Sequence, residues 1–285
     1  MLKARLTRAQ PRALLLAIGI LAVTAASASA ATINSPSTGS WSVIGTTGND
    51  TITQSSTTAT ANDIIIGLGG NDSITVGNGT NLIEADGKCP AGDQNTVTPA
   101  PGDSVYCSLD QITTSHTDTI TAGNGSNIII GGGYKNTIKA GNGSNAIYVG
   151  GVNSNTITVG SGSNLIVCGS GTNSVTTGNG TELIYCDNGS ASTISVGSGT
   201  STIFAQNGQK DTITCAKGNN ATVYADPQDK VTGCRTVITK NAPFGQASPP
   251  PPGTSSKAAI RRYDAAKAHA AKKHHKSKKH SSRRH

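Results

Sequence analysis

The sequence predicts an all-β fold, a parallel β-roll or β-solenoid with about 18–19 residues per coil, followed by a disordered basic tail. Three observations point there. Ile120, Ile138, Ile157, Val175, Ile194, Ile213 and Val231 follow one another at steps of 18, 19, 18, 19, 19 and 18 residues. A second set, Ile129, Ile147, Ile166, Ile184, Ile203 and Val223, falls almost midway, so each coil holds two half-turns of nine or ten residues. The composition agrees: with 35 Gly, 2 Phe, 1 Trp and 13% charged residues, the chain lacks the bulky side chains of one large globular core.

The elements then follow in order. Residues 1–30 place Lys3, Arg5, Arg8 and Arg12 before the apolar run ALLLAIGILAV and the small residues Ala28-Ser29-Ala30, the layout of a secretory signal peptide. Eleven apolar residues are too few to cross a hydrocarbon core of ~30 Å, so a membrane anchor is the weaker reading and a secreted or cell-surface protein the expected one. Residues 31–244 form the repeat domain, with 8 basic against 14 acidic residues. Gly-rich stretches such as AGNGSN and CGSGTN supply its tight loops, and each following triplet is a short strand. A non-repetitive insert spans about 87–117.

Gly67-Leu68-Gly69-Gly70-Asn71-Asp72-Ser73-Ile74-Thr75, followed directly by Val76 to Glu84, shows the nine-residue step. The unit Gly45–Thr53 carries Gly48-Asn49-Asp50-Thr51-Ile52. These residues resemble the RTX, or haemolysin-type calcium-binding, nonapeptide repeat family, with its pattern Gly-Gly-x-Gly-x-Asp-x-U-x. Asp211–Val237 looks like the closing module of secreted actinobacterial members. The resemblance implies calcium at a few sites. At the position of the family's calcium-binding Asp the chain has Asp50, Asp72, Asn81, Asp118, Asn127, Asn136, Asn145, Asn155, Asn164, Asn173, Glu182, Ser192, Ser201 and Asp211. An amide keeps an oxygen but loses the Coulomb attraction that calcium requires. Calcium is therefore expected at Asp50, Asp72 and Asp118, or at Asp211, Asp226 and Asp229, and stacked Asn ladders in the central coils.

Alternation within each strand sends the central Ile or Val inward and its neighbours outward. One sheet then presents hydroxyl pairs such as Thr119/Thr121, Thr156/Thr158 and Thr193/Ser195. The other presents an apolar stripe that includes Tyr148, Tyr185, Phe204 and Tyr224, expected to be a ligand face, a self-association surface or a face under the insert. Six cysteines suit disulfides in an oxidising compartment. Cys168 and Cys186 match in adjacent coils, Cys215 and Cys234 lie almost one coil apart, and Cys89 is left with Cys107.

A Pro-rich linker (245–256) leads to residues 257–285, with 11 basic residues, 1 acidic residue and five His. An anionic cell-envelope polymer or nucleic acid is the expected partner of that tail. Enzyme signatures are absent: His116 is the only His outside the tail, no Ser lies in a GxSxG context, and no Gly-rich loop carries the P-loop Lys. No small-molecule substrate is expected. The reading is a secreted, non-catalytic, calcium-binding-type repeat protein with largely Asn-degenerate sites, structural or surface-associated. The alternative is a metal-independent adhesive, carbohydrate-binding or ice-binding solenoid.

Overall fold

The computed structural model describes residues 30–35, 41–54, 61–86, 116–150, 153–186 and 189–239. The expected signal peptide up to residue 29, most of the insert with Cys89 and Cys107, the linker and the basic tail lie outside the described residues.

Among the described residues two parallel sheets of ten strands each make the solenoid. The first takes the odd-numbered strands β1 (Thr32–Ser35), β3 (Thr51–Gln54), β5 (Ser73–Val76), β7 (Thr117–Ala122), β9 (Lys135–Ala140), β11 (Asn155–Val159), β13 (Asn173–Thr177), β15 (Thr193–Val196), β17 (Thr212–Cys215) and β19 (Lys230–Thr232). The second takes the even-numbered strands β2 (Ser42–Ile44), β4 (Ala61–Ile66), β6 (Gly79–Glu84), β8 (Gly125–Gly131), β10 (Gly143–Val149), β12 (Gly162–Val167), β14 (Gly180–Tyr185), β16 (Gly199–Phe204), β18 (Thr222–Tyr224) and β20 (Thr236–Ile238). Strand order follows sequence order within each sheet, so the chain alternates between sheets at every loop. The insert interrupts one such loop without disturbing the stack, since β5 pairs with β7 through Ser73↔Thr119 and Ile74↔Ile120. Thr117, expected in the insert, already belongs to β7.

Alternation explains the core. In β11 the pattern is Asn155 in, Thr156 out, Ile157 in, Thr158 out, Val159 in. Ile120, Ile138, Ile157, Ile194 and Ile213 of one sheet meet Ile129, Ile147, Ile166, Ile184 and Ile203 of the other, all fully buried. Each such burial contributes about 1.5–3 kcal/mol. Register follows from that column, because a one-residue slip would turn every Ile outward. At the corner entering the second sheet, Gly162 has φ 141° and a Cβ there would strike the Gly143 carbonyl oxygen of the previous coil. Only glycine fits such a contact.

The outer faces differ as expected in chemistry but not in accessibility. The hydroxyls of the first sheet are exposed at Thr75, Thr119, Thr156, Thr158, Thr176 and Thr193. The apolar stripe is a second buried cluster of Leu82, Ile128, Ile130, Ala146, Tyr148, Val167, Tyr185 and Phe204. Tyr148, Tyr185 and Phe204 are only 5%, 7% and 8% exposed, which corrects the expectation of an open ligand face. Part of the reason is coil spacing: the Phe204 ring is stacked between Tyr185 and Tyr224 with centroids 4.8 Å apart on each side. Tyr224 alone of the four is half-exposed.

Disulfides join Cys168 to Cys186 and Cys215 to Cys234, at Cα separations of 4.9 and 5.0 Å. Each spans one coil.

Candidate metal centre

The loop position expected to carry calcium ligands forms two inward-facing rows, one beside each sheet. Beside the first sheet the row runs Asp50, Asp72, Asp118, Asn136, Asn155, Asn173, Ser192, Asp211 and Asp229; the first eight are buried. Beside the second it runs Asp63, Asn81, Asn127, Asn145, Asn164, Glu182 and Ser201, all buried. Asp63 was missed in the sequence, although Asn62-Asp63-Ile64-Ile65 repeats the Asn-Asp-x-Ile signal of Asn71-Asp72-Ser73-Ile74.

The amide rungs close on themselves. Asn127 Nδ2 donates to the Gly123 carbonyl at 3.1 Å and to Asn145 Oδ1 at 2.8 Å. Asn145 Nδ2 does the same with Gly141 O and Asn164 Oδ1. In the other row Asn136 Nδ2 bridges Gly132 O and Asn155 Oδ1, each at 3.0 Å, and Asn155 Nδ2 reaches Asn173 Oδ1 at 3.0 Å. Each amide group thus places N–H donors between a loop carbonyl and the next coil's oxygen. A cation would be drawn to that space, and the amide hydrogens already fill it.

Acid rungs have no such hydrogens. Asp72 Oδ1 accepts the Asp50 N–H at 2.8 Å and Asp118 Oδ1 accepts the Asp72 N–H at 3.0 Å. Their second oxygens, Asp72 Oδ2 and Asp118 Oδ2, are buried without a partner, as are Asp63 Oδ2 and Asn81 Oδ1 across the solenoid. Burial, with Coulomb repulsion from Asp118, Asp50 and Asp86, pushes Asp72 up to about 8 from an ordinary 3.8. Burial, with repulsion from Asp86, pushes Asp118 up to about 7. An unpartnered buried carboxylate is costly and needs a proton or a cation.

The other nominated acids are better served. Asp50 accepts from Ala31 N and Thr46 Oγ1 on Oδ1 and from Thr46 N on Oδ2. Asp211 accepts from Ser192 N and Asn207 Nδ2. Asp229 accepts from Asp211 N and Asp226 N, and Asp226 Oδ2 accepts from Gly208 N. Among the described residues no three His, Cys, Asp or Glu side chains converge as a ready metal cluster.

Calcium, with its hard-oxygen preference and mixed carboxylate and carbonyl shells, fits the Asp72 and Asp118 coils. A Cβ on Gly67 would collide with Asp72 Oδ2 and the Ala85 carbonyl oxygen, so that glycine holds open a cradle of acceptors. It does not fit the amide rungs. Two buried acids stand outside this pattern. Glu84 is on the apolar outer face of β6, between Ile66 and Ile130 in register, with neither oxygen bonded; burial pushes it up to about 7. Glu182 interrupts the amide row with no hydrogen bond of normal geometry, and burial pushes it up to about 8.

Four stretches of the chain match the model of the RTX calcium-binding nonapeptide repeat: residues 57–87, 113–147, 121–154 and 149–184. The first includes Asp63 and Asp72 and the second Asp118, whereas the last two cover amide rungs and Glu182. No curated protein and no solved structure matches the chain.

Proposed function

Because the chain carries RTX calcium-binding nonapeptide repeats in a parallel β-solenoid, we propose that it is an exported, non-catalytic structural protein. Calcium then completes only its N-terminal coils, while its central coils stand without metal. The observation that carries this reading is the division of the loop rows. Buried acceptors lack partners at Asp63, Asp72, Asn81 and Asp118, and amide hydrogens fill the equivalent places from Asn127 to Asn164 and from Asn136 to Asn173. Thermal unfolding of the oxidised protein with excess calcium and with chelator tests it. A higher midpoint in calcium, with a folded β spectrum retained in chelator, supports the reading. Equal midpoints overturn the metal half of it, and a coil spectrum in chelator overturns the amide half.

A second reading, an adhesive, carbohydrate-binding or ice-binding surface, is favoured by one feature. The first sheet presents Thr and Ser hydroxyl pairs from β3 to β17, interrupted by Lys139, with coils spaced by about 4.8 Å. Thermal hysteresis and retention on insoluble polysaccharides test that face, and Thr156→Lys with Thr176→Lys should abolish either activity. The signal peptide supports export. The basic tail suits an anionic envelope polymer or nucleic acid, and tail-dependent retention on cell walls or DNA would test that pairing.

A further inference from the structure

The repeat motif does not account for two residues beside the acid rungs. Asp86 occupies the loop position held by Leu68 one coil earlier and Gly132 one coil later, and His116 is the first described residue after residues 87–115. They touch: His116 Nδ1 lies 3.1 Å from Asp86 Oδ1. Asp86 Oδ2 accepts the Gly133 N–H at 3.1 Å. Its side chain is 7% exposed.

Asp86 is aimed at the unpartnered oxygen already described. A Cβ built on Gly132 would collide with Asp86 Oδ2 and would lie 2.6 Å from Asp118 Oδ2, so both oxygens converge on the space that this glycine leaves empty. The φ of Gly132 lies outside the left-handed region, so its backbone does not demand glycine; the converging carboxylates do. Asp118 is 0% exposed and its Oδ2 has no partner. Two anionic oxygens that share one buried space repel each other unless something positive lies between them.

The imidazole adds a second constraint. Gly70 N–H donates to His116 Nδ1 at 3.0 Å, and Nδ1 cannot accept that bond while donating to Asp86 Oδ1. When it accepts, a lone pair faces a carboxylate oxygen across 3.1 Å. When Nδ1 instead carries the proton, it donates to Asp86 Oδ1 and orients that carboxylate. In either state Nδ1 is engaged and is no ligand.

We propose that Asp86 and Asp118 jointly hold a divalent cation of the calcium class over Gly132, with Asp86 a ligand from outside the repeat motif and His116 its positioning residue. The two carboxylates supply the hard, charged oxygens that calcium prefers. The ion ties together residues 86 and 118, on the two sides of the interrupted loop. This inference rests on calcium binding at the acid rungs and adds to it a chain-specific ligand.

Calorimetric titration of calcium into the full chain tests it, using wild type, D86N and G132A. Asparagine is nearly isosteric and recurs in these rows, and alanine at 132 fills the cradle without removing an acid. The expected result is a loss of affinity of about tenfold or more in both variants. H116Q should lose affinity as well, by a smaller factor, with the number of bound ions unchanged. Calcium bound equally well by wild type and G132A overturns the proposal, even if D86N fails to fold, and leaves the calcium reading of the repeats standing. No binding by wild type overturns both.

Discussion

A single nitrogen decides how each coil solves its loop. The side chains of Asn155 and Asp72 occupy equivalent rungs, yet Asn155 Nδ2 satisfies Asn173 Oδ1, while Asp72 Oδ2 is left with none. Asn155→Asp should therefore cost about 1–3 kcal/mol in chelator, because it removes a donor and sets two oxygens against each other. Urea unfolding measures that loss. Glu182→Gln runs the other way. Its carboxyl is raised to about 8 from an ordinary 4.5, so the folded state holds a proton that the unfolded state releases above the ordinary value. The native Glu thus weakens the fold increasingly as pH rises from about 4.5 to about 8. The Gln variant should be more stable than wild type at pH 8 and equal to it near pH 4, and equal urea midpoints at pH 8 would contradict this.

Strands and coils were the most legible scale, because a period read from Ile and Val spacing needs only alternation and closure to become two sheets. The Ile column appears as expected from β7 to β17, and both cysteine pairs within the described residues join successive coils. Less legible was whatever depends on a third dimension. Tyr148, Tyr185 and Phe204 alternate outward as expected and are nevertheless buried, since strand alternation says which side a residue faces and not what lies there. Asp86 and His116 are 30 positions apart in sequence and meet because the strands on either side of them, β6 and β7, stack into the same pair of sheets. Asp63 had a local signal and was overlooked in an irregular stretch. The disulfides carry an element-scale prediction. Cys215–Cys234 staples the last described coil, which has a neighbour on one side only among the described residues, to the coil before it, whereas Cys168–Cys186 sits between coils held on both sides. A loop of 18 or 19 residues makes either bridge worth about 3 kcal/mol in the chain-entropy account. Cys215→Ser with Cys234→Ser should speed amide exchange in 211–238 locally, and the central pair should show its loss only in the global unfolding midpoint.

Across the whole molecule the acid rungs set the pH response. Asp72 is raised to about 8, Asp118 to about 7 and Asp211 to about 6, in each case chiefly by burial. A carboxyl whose folded value lies above its unfolded one contributes full stability below the unfolded value, and that contribution is lost as pH rises through the folded value. The metal-free protein should therefore be most stable near pH 4 and weaken up to about pH 8, with calcium restoring more at pH 8 than at pH 5. A melting temperature in chelator that rises over that range would contradict the assignment. The central claim is spatial: one solenoid uses cations at its N-terminal coils and amide hydrogens in its middle. Hydrogen exchange of the full chain in calcium and in chelator, resolved by peptide, tests it most directly. Chelation should speed exchange in 45–86 and 116–135 and leave 136–186 unchanged. Equal loss of protection in both regions, or loss confined to the amide coils, would contradict it.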